Sequence, residues 1–568
     1  MRNAAPLFQT LLALLLLEEL SAFGQTPDAP ALIAELGCAN CHTDLKITSA
    51  LKEKTPDLSS AGLRYNPAYL FDFLQNPVKV RRHLGRARMP NFHLSEKEAL
   101  ALVLFLQTQR ETPGKWPQIP AEIGSQLAVA PHPVSKEQFQ AELNKGLICF
   151  TCHTLEGKGG VLGIELGNIG YRLQPAWVKT YLVFPAMFGV AASVMPPQFY
   201  EPAADASRFR ELTPDAGHKI QVLADYLLSL QTEKQRALDK QFATAKARFP
   251  EAKAAVGQQI FRSQNCAACH QHQTIQPRTK EPAPELAMEG KRVNEPWLND
   301  YLKHPGPLRP FGYHPGEGSR MPDFHLSDQE ASELSKFLMS SRSETRTFQS
   351  QKLSAFSRNK AALLLTEKLS CLGCHRLGDR GGRIGPDLTM ARARLQPDYV
   401  YAMISEPRSL NPNTIMPKGP LTPQTIQLIT NFLLQQERAP TDAEYLSLVD
   451  NQLIGFEPEP GSAGNSARNN YVKYCAPCHG VEGRANGFNA QFLPVQPAVH
   501  ADGIYMSARP DDTLYDAISS GGYVVNKSQM MPPWRDSFAP SEIKALVEYL
   551  RTLCRCKGPA WSLDNSQR

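Results

Sequence analysis

Cysteine and histidine recur together in this chain at one fixed spacing. The pattern Cys-x-x-Cys-His occurs five times and uses ten of the 12 cysteines. With 12 Cys and 14 His in 568 residues, chance would give far less than one match. The five copies are Cys38–His42, Cys149–His153, Cys266–His270, Cys371–His375 and Cys475–His479.

The spacing of the motif suits one prosthetic group. In a helical turn, positions i, i+3 and i+4 share a face, so both thiols and the imidazole point the same way. Two such thiols can form thioethers with the two vinyl groups of one porphyrin, while the histidine binds iron from the same side. The pattern predicts five covalently attached haem c groups. The predicted attachment residues are Cys38, Cys41, Cys149, Cys152, Cys266, Cys269, Cys371, Cys374, Cys475 and Cys478, and the predicted proximal iron ligands are His42, His153, His270, His375 and His479.

Other uses of paired cysteines explain the motif less well. A thioredoxin-like site would need alternating strands and helices and would not require the histidine. Structural zinc sites need paired ligand knuckles, and five motifs do not pair. Disulfide bonds would not require a histidine after every second cysteine.

A methionine follows each motif at a similar distance. A Met-Pro pair occurs 41 to 52 residues after each motif histidine. The thioether of methionine is a soft ligand that favours ferrous iron, and the following proline stiffens the loop that presents it. Five such pairs among 13 methionines predict a sixth iron ligand for each haem. These ligands are Met89, Met195, Met321, Met416 and Met531, with Met530 as the competitor of Met531.

The order of these signals resembles the class I cytochrome c family. That family has an N-terminal helix ending in Cys-x-x-Cys-His, a proline-containing loop, a middle helix, Met-Pro and a C-terminal helix. The resemblance covers nearly the whole chain after its first residues. It implies an all-α fold with five tandem class I cytochrome c-like helical domains, each wrapped around one covalent haem.

Composition shifts place the domain boundaries. Residues 1–24, with Arg2 and an apolar run, are predicted to form a signal peptide. The alternative is that the segment is retained as an anchor, although the apolar run is too short to span a membrane. No later stretch is long and apolar enough for a membrane helix. The predicted modules 1 to 5 are 25–110, 136–230, 251–341, 352–437 and 467–556, with a charged helical connector at 231–250 and a polar tail at 557–568.

The modules are not equally alike. Modules 1 and 3 share Arg-Met-Pro-x-Phe-His-Leu-Ser at 88–95 and 320–327, and modules 2 and 4 share Arg-Leu-Gln-Pro at 172–175 and 394–397. A duplicated two-haem unit followed by a distinct fifth module is the simplest explanation. The fifth module resembles the c-type domains attached to respiratory oxidase complexes.

The resemblance also implies a loop carbonyl that accepts a hydrogen bond from each proximal histidine. Within the modules that carbonyl would belong to Pro56, Ile164, Pro284 and Pro386, and in module 5 to Pro494 or Pro497.

Several residues stay ambiguous. Arg88 and Arg320 either bind haem propionates or are surface charges, and His93 and His325 are favoured as surface contacts over distal ligands. His83, His304 and His314 carry the same ambiguity. Cys554 and Cys556 could form a disulfide with each other, bond to a partner chain or stay free. A cap-like Ser or Thr precedes each last helix: Ser95, Thr213, Ser327, Thr422 and Ser541.

The sequence therefore predicts an exported electron carrier rather than an enzyme. A net charge of +6 over 568 residues gives no concentrated basic patch, which argues against nucleic-acid binding. Expected partners are redox protein donors and acceptors, with a membrane respiratory complex as one candidate, in a periplasmic or other extracytoplasmic compartment. One alternative is a peroxidase- or reductase-like haem enzyme with one open haem, most plausibly in module 2. The other is a cytochrome subunit of a membrane quinol-oxidising or dehydrogenase complex.

Overall fold

The computed structural model describes residues 28–51, 54–80, 85–112, 124–125, 127–128, 132–185, 195–196, 198–199, 212–279, 283–341, 347–436, 444–453 and 467–563. The predicted signal peptide and His83 lie outside the described residues. Helices dominate, which confirms the all-α class. The strands in this part of the chain form two short antiparallel hairpins, Thr154–Leu155 with Lys158–Gly159 and Arg376–Leu377 with Arg380–Gly381.

Each module contains a first, a middle and a last helix. In module 1 these are Ala29–Leu36, Pro67–Gln75 and Glu96–Thr108, and in module 2 they are Lys136–Leu143, Pro175–Val183 and Ala216–Ser229. In module 3 they are Ala254–Ser263, Glu295–Lys303 and Asp328–Leu338, and in module 4 they are Ala355–Leu363, Pro397–Ser405 and Pro423–Leu433. Module 5 begins with Ala467–Asn470, which continues into a π-helix at Tyr471–Cys475, and has Asp511–Ser520 and Pro540–Cys554 as its middle and last helices.

Shorter helices connect these elements. They are Ala61–Arg64, Cys149–Cys152, Ile169–Arg172, Glu289–Arg292, Cys371–Cys374, Ala391–Arg394, Pro407–Leu410, Ala476–His479 and Gly503–Ser507. The predicted connector forms the helix Thr232–Arg248. Its Leu238 and Ala245 are buried in the core of module 1, so this helix packs against the core along one side.

Local sequence explains where most helices begin. Proline occupies the first turn of the middle helices of modules 1 to 4, where a missing N–H costs nothing. Ser95 and Ser327 form capping boxes with Glu98 and Glu330. Two predicted caps are wrong, because Asp215 rather than Thr213 precedes the last helix of module 2 and Ser541 lies inside the last helix of module 5.

The duplicated two-module unit is visible in the backbone. Modules 1 and 2 meet at an antiparallel bridge between Tyr65 and Leu173, and modules 3 and 4 meet at an equivalent bridge between Val293 and Leu395. In the first junction the N–H of Asn66 donates to the carbonyl of Arg172, at 2.9 Å. The same bond joins the N–H of Asn294 to the carbonyl of Arg394, also at 2.9 Å.

Modules 1 and 3 exchange their first helices. The first helix of module 1 packs on the middle and last helices of module 3, where Leu32 and Ile33 are buried with Leu298 and Leu334. This differs from the expectation of self-contained modules along the chain. The two modules have similar sequences, so each can accept the first helix of the other at an equivalent interface.

The reciprocal half of the exchange has the tighter helix crossing. The first helix of module 3 packs on the last helix of module 1, and the rings of Phe261 and Phe105 lie 5.5 Å apart. A Cβ atom on Gly257 would lie 1.9 Å from the carbonyl oxygen of Ala101, so the backbones approach closely only because this residue is glycine.

Module 5 has a core of its own. Its buried residues include Tyr471, Leu514, Leu546 and Leu550, and nearly all of them belong to 467–556. Across the residues that the structure describes, none of the helices combines the length and the apolar character needed to cross a bilayer.

Candidate haem-binding sites

Each Cys-x-x-Cys-His motif folds as a single helical turn. The turn is a 3-10 helix at Cys38–Asn40 and Cys266–Ala268, and an α-helix at Cys149–Cys152 and Cys371–Cys374. In module 5 the second half of the motif lies in the helix Ala476–His479. In the first four copies the N–H of the histidine donates to the carbonyl of the first cysteine, which closes the turn. In module 5 the histidine is the last residue of the helix Ala476–His479. The predicted grouping of two thiols and one imidazole is therefore a local property of the motif.

In modules 2, 4 and 5 the Nδ1 atom of the motif histidine bonds to a carbonyl of its own module. The distances are 2.8 Å from His153 to Ile164, 2.8 Å from His375 to Pro386 and 2.9 Å from His479 to Ala498. Ile164 and Pro386 are the predicted acceptors. The prediction of Pro494 or Pro497 for module 5 is wrong, because the loop turns so that the residue after Pro497 presents its carbonyl.

In modules 1 and 3 the acceptors are exchanged. His42 Nδ1 lies 2.7 Å from the carbonyl oxygen of Pro284, and His270 Nδ1 lies 3.1 Å from that of Pro56. The implied pairs within each module, His42 with Pro56 and His270 with Pro284, are wrong. The physical reason is the exchange of the first helices, which carries each motif into the loop of the other module.

The hydrogen bonds and burial prepare the imidazoles for a metal. Burial lowers the pKa of His42, His270, His375 and His479. A neutral imidazole that donates from Nδ1 leaves Nε2 free as a ligand, which is the form that binds iron. The hydrogen bonds therefore hold these histidines in one orientation, and burial favours their neutral form.

A cavity of about 380 Å³ joins the site of module 2 to that of the module 3 motif. Its wall contains Cys149, Cys152, His153 and Met195 on one side. On the other side the wall contains Cys266, Cys269 and His270 together with residues of module 1: Pro56, Tyr69, Phe73 and Met89.

A larger cavity of about 620 Å³ contains the site of the module 1 motif and that of module 4. The first site has Cys38, Cys41 and His42 with module 3 residues: Pro284, Trp297, Leu298 and Met321. The second has Cys371, Cys374, His375 and Met416. Met531 of module 5 also lines this cavity, whereas Met530 and the motif Cys475–His479 line neither cavity.

The walls suit haem in charge as well as in shape. The Nε atoms of Arg64, Arg172 and Arg394 are buried without a hydrogen-bond partner, and all three side chains line the cavities. Burial and the nearby cation of Arg309 lower the pKa of Arg394 to about 10, so an added negative charge would stabilise this cation. Haem carries two propionates, which would supply that charge. The thiols, imidazoles, thioethers and cations that line these two cavities fit haem.

Sequence reasoning missed these arginines as candidates for propionate binding. Arg172 and Arg394 are the first residues of the repeated Arg-Leu-Gln-Pro segments. This repeat is the sequence feature that could have identified them as candidates. It also missed His500, whose ring stacks on His479 at 4.0 Å between centroids. Tyr471 Oη lies 3.0 Å from His500 Nδ1, which holds the second ring in place.

Arg88 lines the smaller cavity and Arg320 lines the larger one, and both also form ion pairs between modules. Arg320 is buried against Glu98 of module 1, and Arg88 pairs with Glu330 of module 3. His93 and His325 lie outside both cavities, as the interpretation as surface contacts predicts. His314 lines the larger cavity. Cys554 and Cys556 form a disulfide with each other.

Neighbouring motifs touch at two places. Asn40 Nδ2 of the first motif donates to Cys269 Sγ of the third, at 3.4 Å. Asn489 of module 5 donates to the carbonyl of Gly373 at 2.8 Å and to Cys478 Sγ at 3.3 Å, which joins the fourth and fifth motifs. Among the described residues, no group of three or more His, Cys, Asp or Glu side chains forms a separate metal site.

Comparison with known protein families agrees with this geometry. Residues 28–110 and 254–342 match the family Cytochrome c, and residues 462–550 match the family Cytochrome C oxidase, cbb3-type, subunit III. No curated protein matches the chain, and no solved structure matches it. The two cytochrome c matches coincide with modules 1 and 3, and the third coincides with module 5. The chain therefore contains two cytochrome c domains and one cbb3-type cytochrome c domain, which imply a haem-binding electron-transfer protein.

Proposed function

We propose that this protein is an exported pentahaem cytochrome that carries single electrons between redox partners through five His/Met-ligated haems. The observation that carries the proposal is the repeated site: four of the five motifs line a cavity with their thiol pair, imidazole and a methionine, and Met531 of module 5 lines the larger cavity. Cytochrome c matches cover two of these modules, and the cbb3-type match covers a third.

Each type of residue at a site has a separate role. Haem, once bound, supplies an iron that changes between the ferric and ferrous states by one electron. The thiols of each motif fix its position, and the Nδ1 hydrogen bond fixes the rotation of the imidazole. A methionine that lines the same cavity would supply a sixth ligand to the iron, which would favour electron transfer over substrate binding. The apolar walls exclude water and limit the reorganisation that accompanies a change of charge.

The contacts between sites support one row of five positions. The smaller cavity joins the sites of His153 and His270, and the side chain of Asn40 joins the third motif to the first. The larger cavity joins the sites of His42 and His375, and Asn489 joins the fourth motif to the fifth. The proposed order in space is therefore motif 2, 3, 1, 4 and 5, with modules 2 and 5 at the ends, where donors and acceptors would dock.

Haem quantification combined with optical and paramagnetic-resonance spectra tests the proposal. We expect five covalent haems per chain and low-spin, six-coordinate iron at each. Far fewer than five haems, or a strong high-spin ferric signal, would contradict it. A high-spin signal would favour the haem enzyme with one open position.

A second candidate is a cytochrome subunit of a membrane respiratory complex. The match of residues 462–550 to a cbb3-type oxidase subunit family favours it. Purification from the native host after mild membrane solubilisation tests this role. Stable co-purification with a quinol-oxidising, dehydrogenase or oxidase complex would support it, and recovery of the free cytochrome in the extracytoplasmic soluble fraction would oppose it.

A further inference from the structure

We propose that the iron ligands of the first and third haems are shared between modules, so that His42 pairs with Met321 and His270 pairs with Met89. The inference rests on the proposed function, because it assumes that haem binds both motifs. Pairing within each module would instead combine His42 with Met89 and His270 with Met321. The two possibilities differ only in which methionine belongs to which histidine, and the structure distinguishes them.

The proximal side of each site is already built from two modules. His42 is oriented by the carbonyl of Pro284, which lies 242 residues further along the chain, and His270 is oriented by Pro56. Asp44, just after the first motif, accepts hydrogen bonds from the N–H groups of Leu286 and Ala287 at 2.8 and 2.7 Å. The first motif is thus anchored to the module 3 loop through its histidine and through Asp44, two residues further along.

The third motif is anchored to module 1 in the same way. The N–H of Leu58 donates to the carbonyl of Gln271 at 2.9 Å, and the N–H of Gln273 donates to Ser59 Oγ at 2.8 Å. The ring of His272 stacks on Phe105 of the last helix of module 1. These bonds surround His270, so its position does not depend on a single contact.

The smaller cavity separates the two methionines. The smaller cavity contains Cys266, Cys269, His270 and Met89, but the module 1 motif and Met321 are outside it. The middle helix of module 1 contributes Tyr69 and Phe73 to that cavity, whereas the middle helix of module 3 contributes only to the larger one. The larger cavity is lined by both motifs and by both methionines, so the smaller cavity is the one that associates Met89 with His270. Met321 is then left for His42.

The loops that carry the methionines are locked in this arrangement. Asn91 and Asp323 pair through two backbone hydrogen bonds of 2.8 and 2.7 Å, so the two loops lie side by side. Arg88 reaches across to Glu330 and Arg320 reaches across to Glu98. A proline after each methionine keeps it extended, and neighbouring side chains of an extended segment point to opposite sides. Because the arginines point across to the other module, the methionines point back towards their own.

Paired removal of one haem and one methionine tests the inference. In the variant Cys38→Ala/Cys41→Ala the first motif holds no covalent haem. In that background we expect Met89→Ala to remove the long-wavelength Met–iron charge-transfer band of one ferric haem, and Met321→Ala to leave the band unchanged. In the background Cys266→Ala/Cys269→Ala we expect the two methionine variants to exchange their effects.

The reverse pattern in the two backgrounds would overturn the inference and establish pairing within modules. Met416→Ala is the matched control, because it should remove one haem's band in both backgrounds. A second measurement uses the unmodified holoprotein, in which proton NMR of the ferrous form should show contacts between the Met89 methyl and the haem held by Cys266 and Cys269. Contacts with the haem of Cys38 and Cys41 would contradict the proposal. If the wild-type protein lacks any Met–iron band, the proposed function itself fails, and this inference fails with it.

Discussion

Two ion pairs hold modules 1 and 3 together. In each pair the carboxylate belongs to the glutamate of a helix capping box. Arg320 Nη2 lies 2.8 Å from Glu98 Oε1, and their side chains are 2% and 1% exposed. Glu98 also accepts from the N–H of Ser95 in its capping box and from the N–H of Leu448 at 2.7 Å. A buried carboxylate with this many partners depends on its arginine, because an unpaired charge is costly in a poorly hydrated interior.

We expect Arg320→Met to destabilise the protein by about 3–5 kcal/mol, because it leaves the Glu98 carboxylate buried without its cation. Arg88→Met is the matched control. Its side chain is 17% exposed and its partner Glu330 keeps a second cation in Arg86, so the loss should be smaller. Denaturant unfolding of the two holoprotein variants, followed by circular dichroism, measures the difference. Equal and small losses would show that burial does not distinguish the two pairs.

The ion pair of Glu330 makes the stability of the fold depend on pH. Burial acts to raise the pKa of Glu330, but hydrogen bonds from Arg88, Ser327 and Arg86 outweigh it and hold the pKa below its usual range. A carboxylate with a lowered pKa stabilises the fold above its ordinary pKa, and the stabilisation is lost as the pH falls through the lowered value.

We therefore expect the melting temperature of the wild type to fall in acid more steeply than that of Glu330→Gln, which lacks this titration. Scanning calorimetry from about pH 6 down to about pH 3 covers the ordinary carboxylate range. Glu333→Gln serves as the control, because Glu333 lies on the same helix in a more exposed pair with Lys336. Parallel curves for the wild type and Glu330→Gln would contradict the argument.

At the scale of elements, the exchanged helix crossing depends on one glycine. The first helix of module 3 crosses the last helix of module 1 at Gly257, where any Cβ atom would collide with the backbone of Ala101. Alanine is the better helix former by about 1 kcal/mol, so helix propensity and packing predict opposite signs for the same substitution.

We expect packing to decide the outcome, with Gly257→Ala destabilising the protein by about 1–3 kcal/mol and lowering covalent haem occupancy at Cys266 and Cys269. Haem-peptide mass spectrometry reports occupancy for each motif. Gly306→Ala is the control, because no atom lies within 4 Å of a Cβ placed there. Greater stability in Gly257→Ala would mean that the two helices do not cross at this position.

At the scale of the whole molecule, the order of sites in space differs from the order of motifs along the chain. In chain order the first motif would be at one end of a row. In the proposed spatial order it lies between the sites of His270 and His375, and the second motif is at the end. This difference follows from the exchange between modules 1 and 3.

Magnetic coupling between ferric haems distinguishes the two orders. We expect loss of the first haem, in Cys38→Ala/Cys41→Ala, to change the paramagnetic relaxation of two other haems. Loss of the second, in Cys149→Ala/Cys152→Ala, should change that of one. Pulsed paramagnetic resonance of the fully oxidised proteins provides the measurement. The opposite result, one neighbour for the first haem and two for the second, would support the order along the chain.

The sequence by itself determined the features that depend on short spacings. The five motifs, the Met-Pro pairs, the all-α class and the duplicated two-module unit are all readable from residues a few positions apart or from repeats. Each motif folds as one turn wherever it lies, so its thiols and histidine share a face without help from the rest of the chain.

Tertiary structure alone decided which segments meet. Modules 1 and 3 have such similar loops and helices that pairing within a module and pairing between modules satisfy the same local pattern, so no spacing separates His42–Pro56 from His42–Pro284. The sequence likewise does not distinguish Arg320 from other arginines beside a ligand loop. Its pairing with Glu98 is seen only in the tertiary structure. Contacts between distant residues depend on the packing free energy of both modules together. The sequence of a single repeat does not determine that free energy.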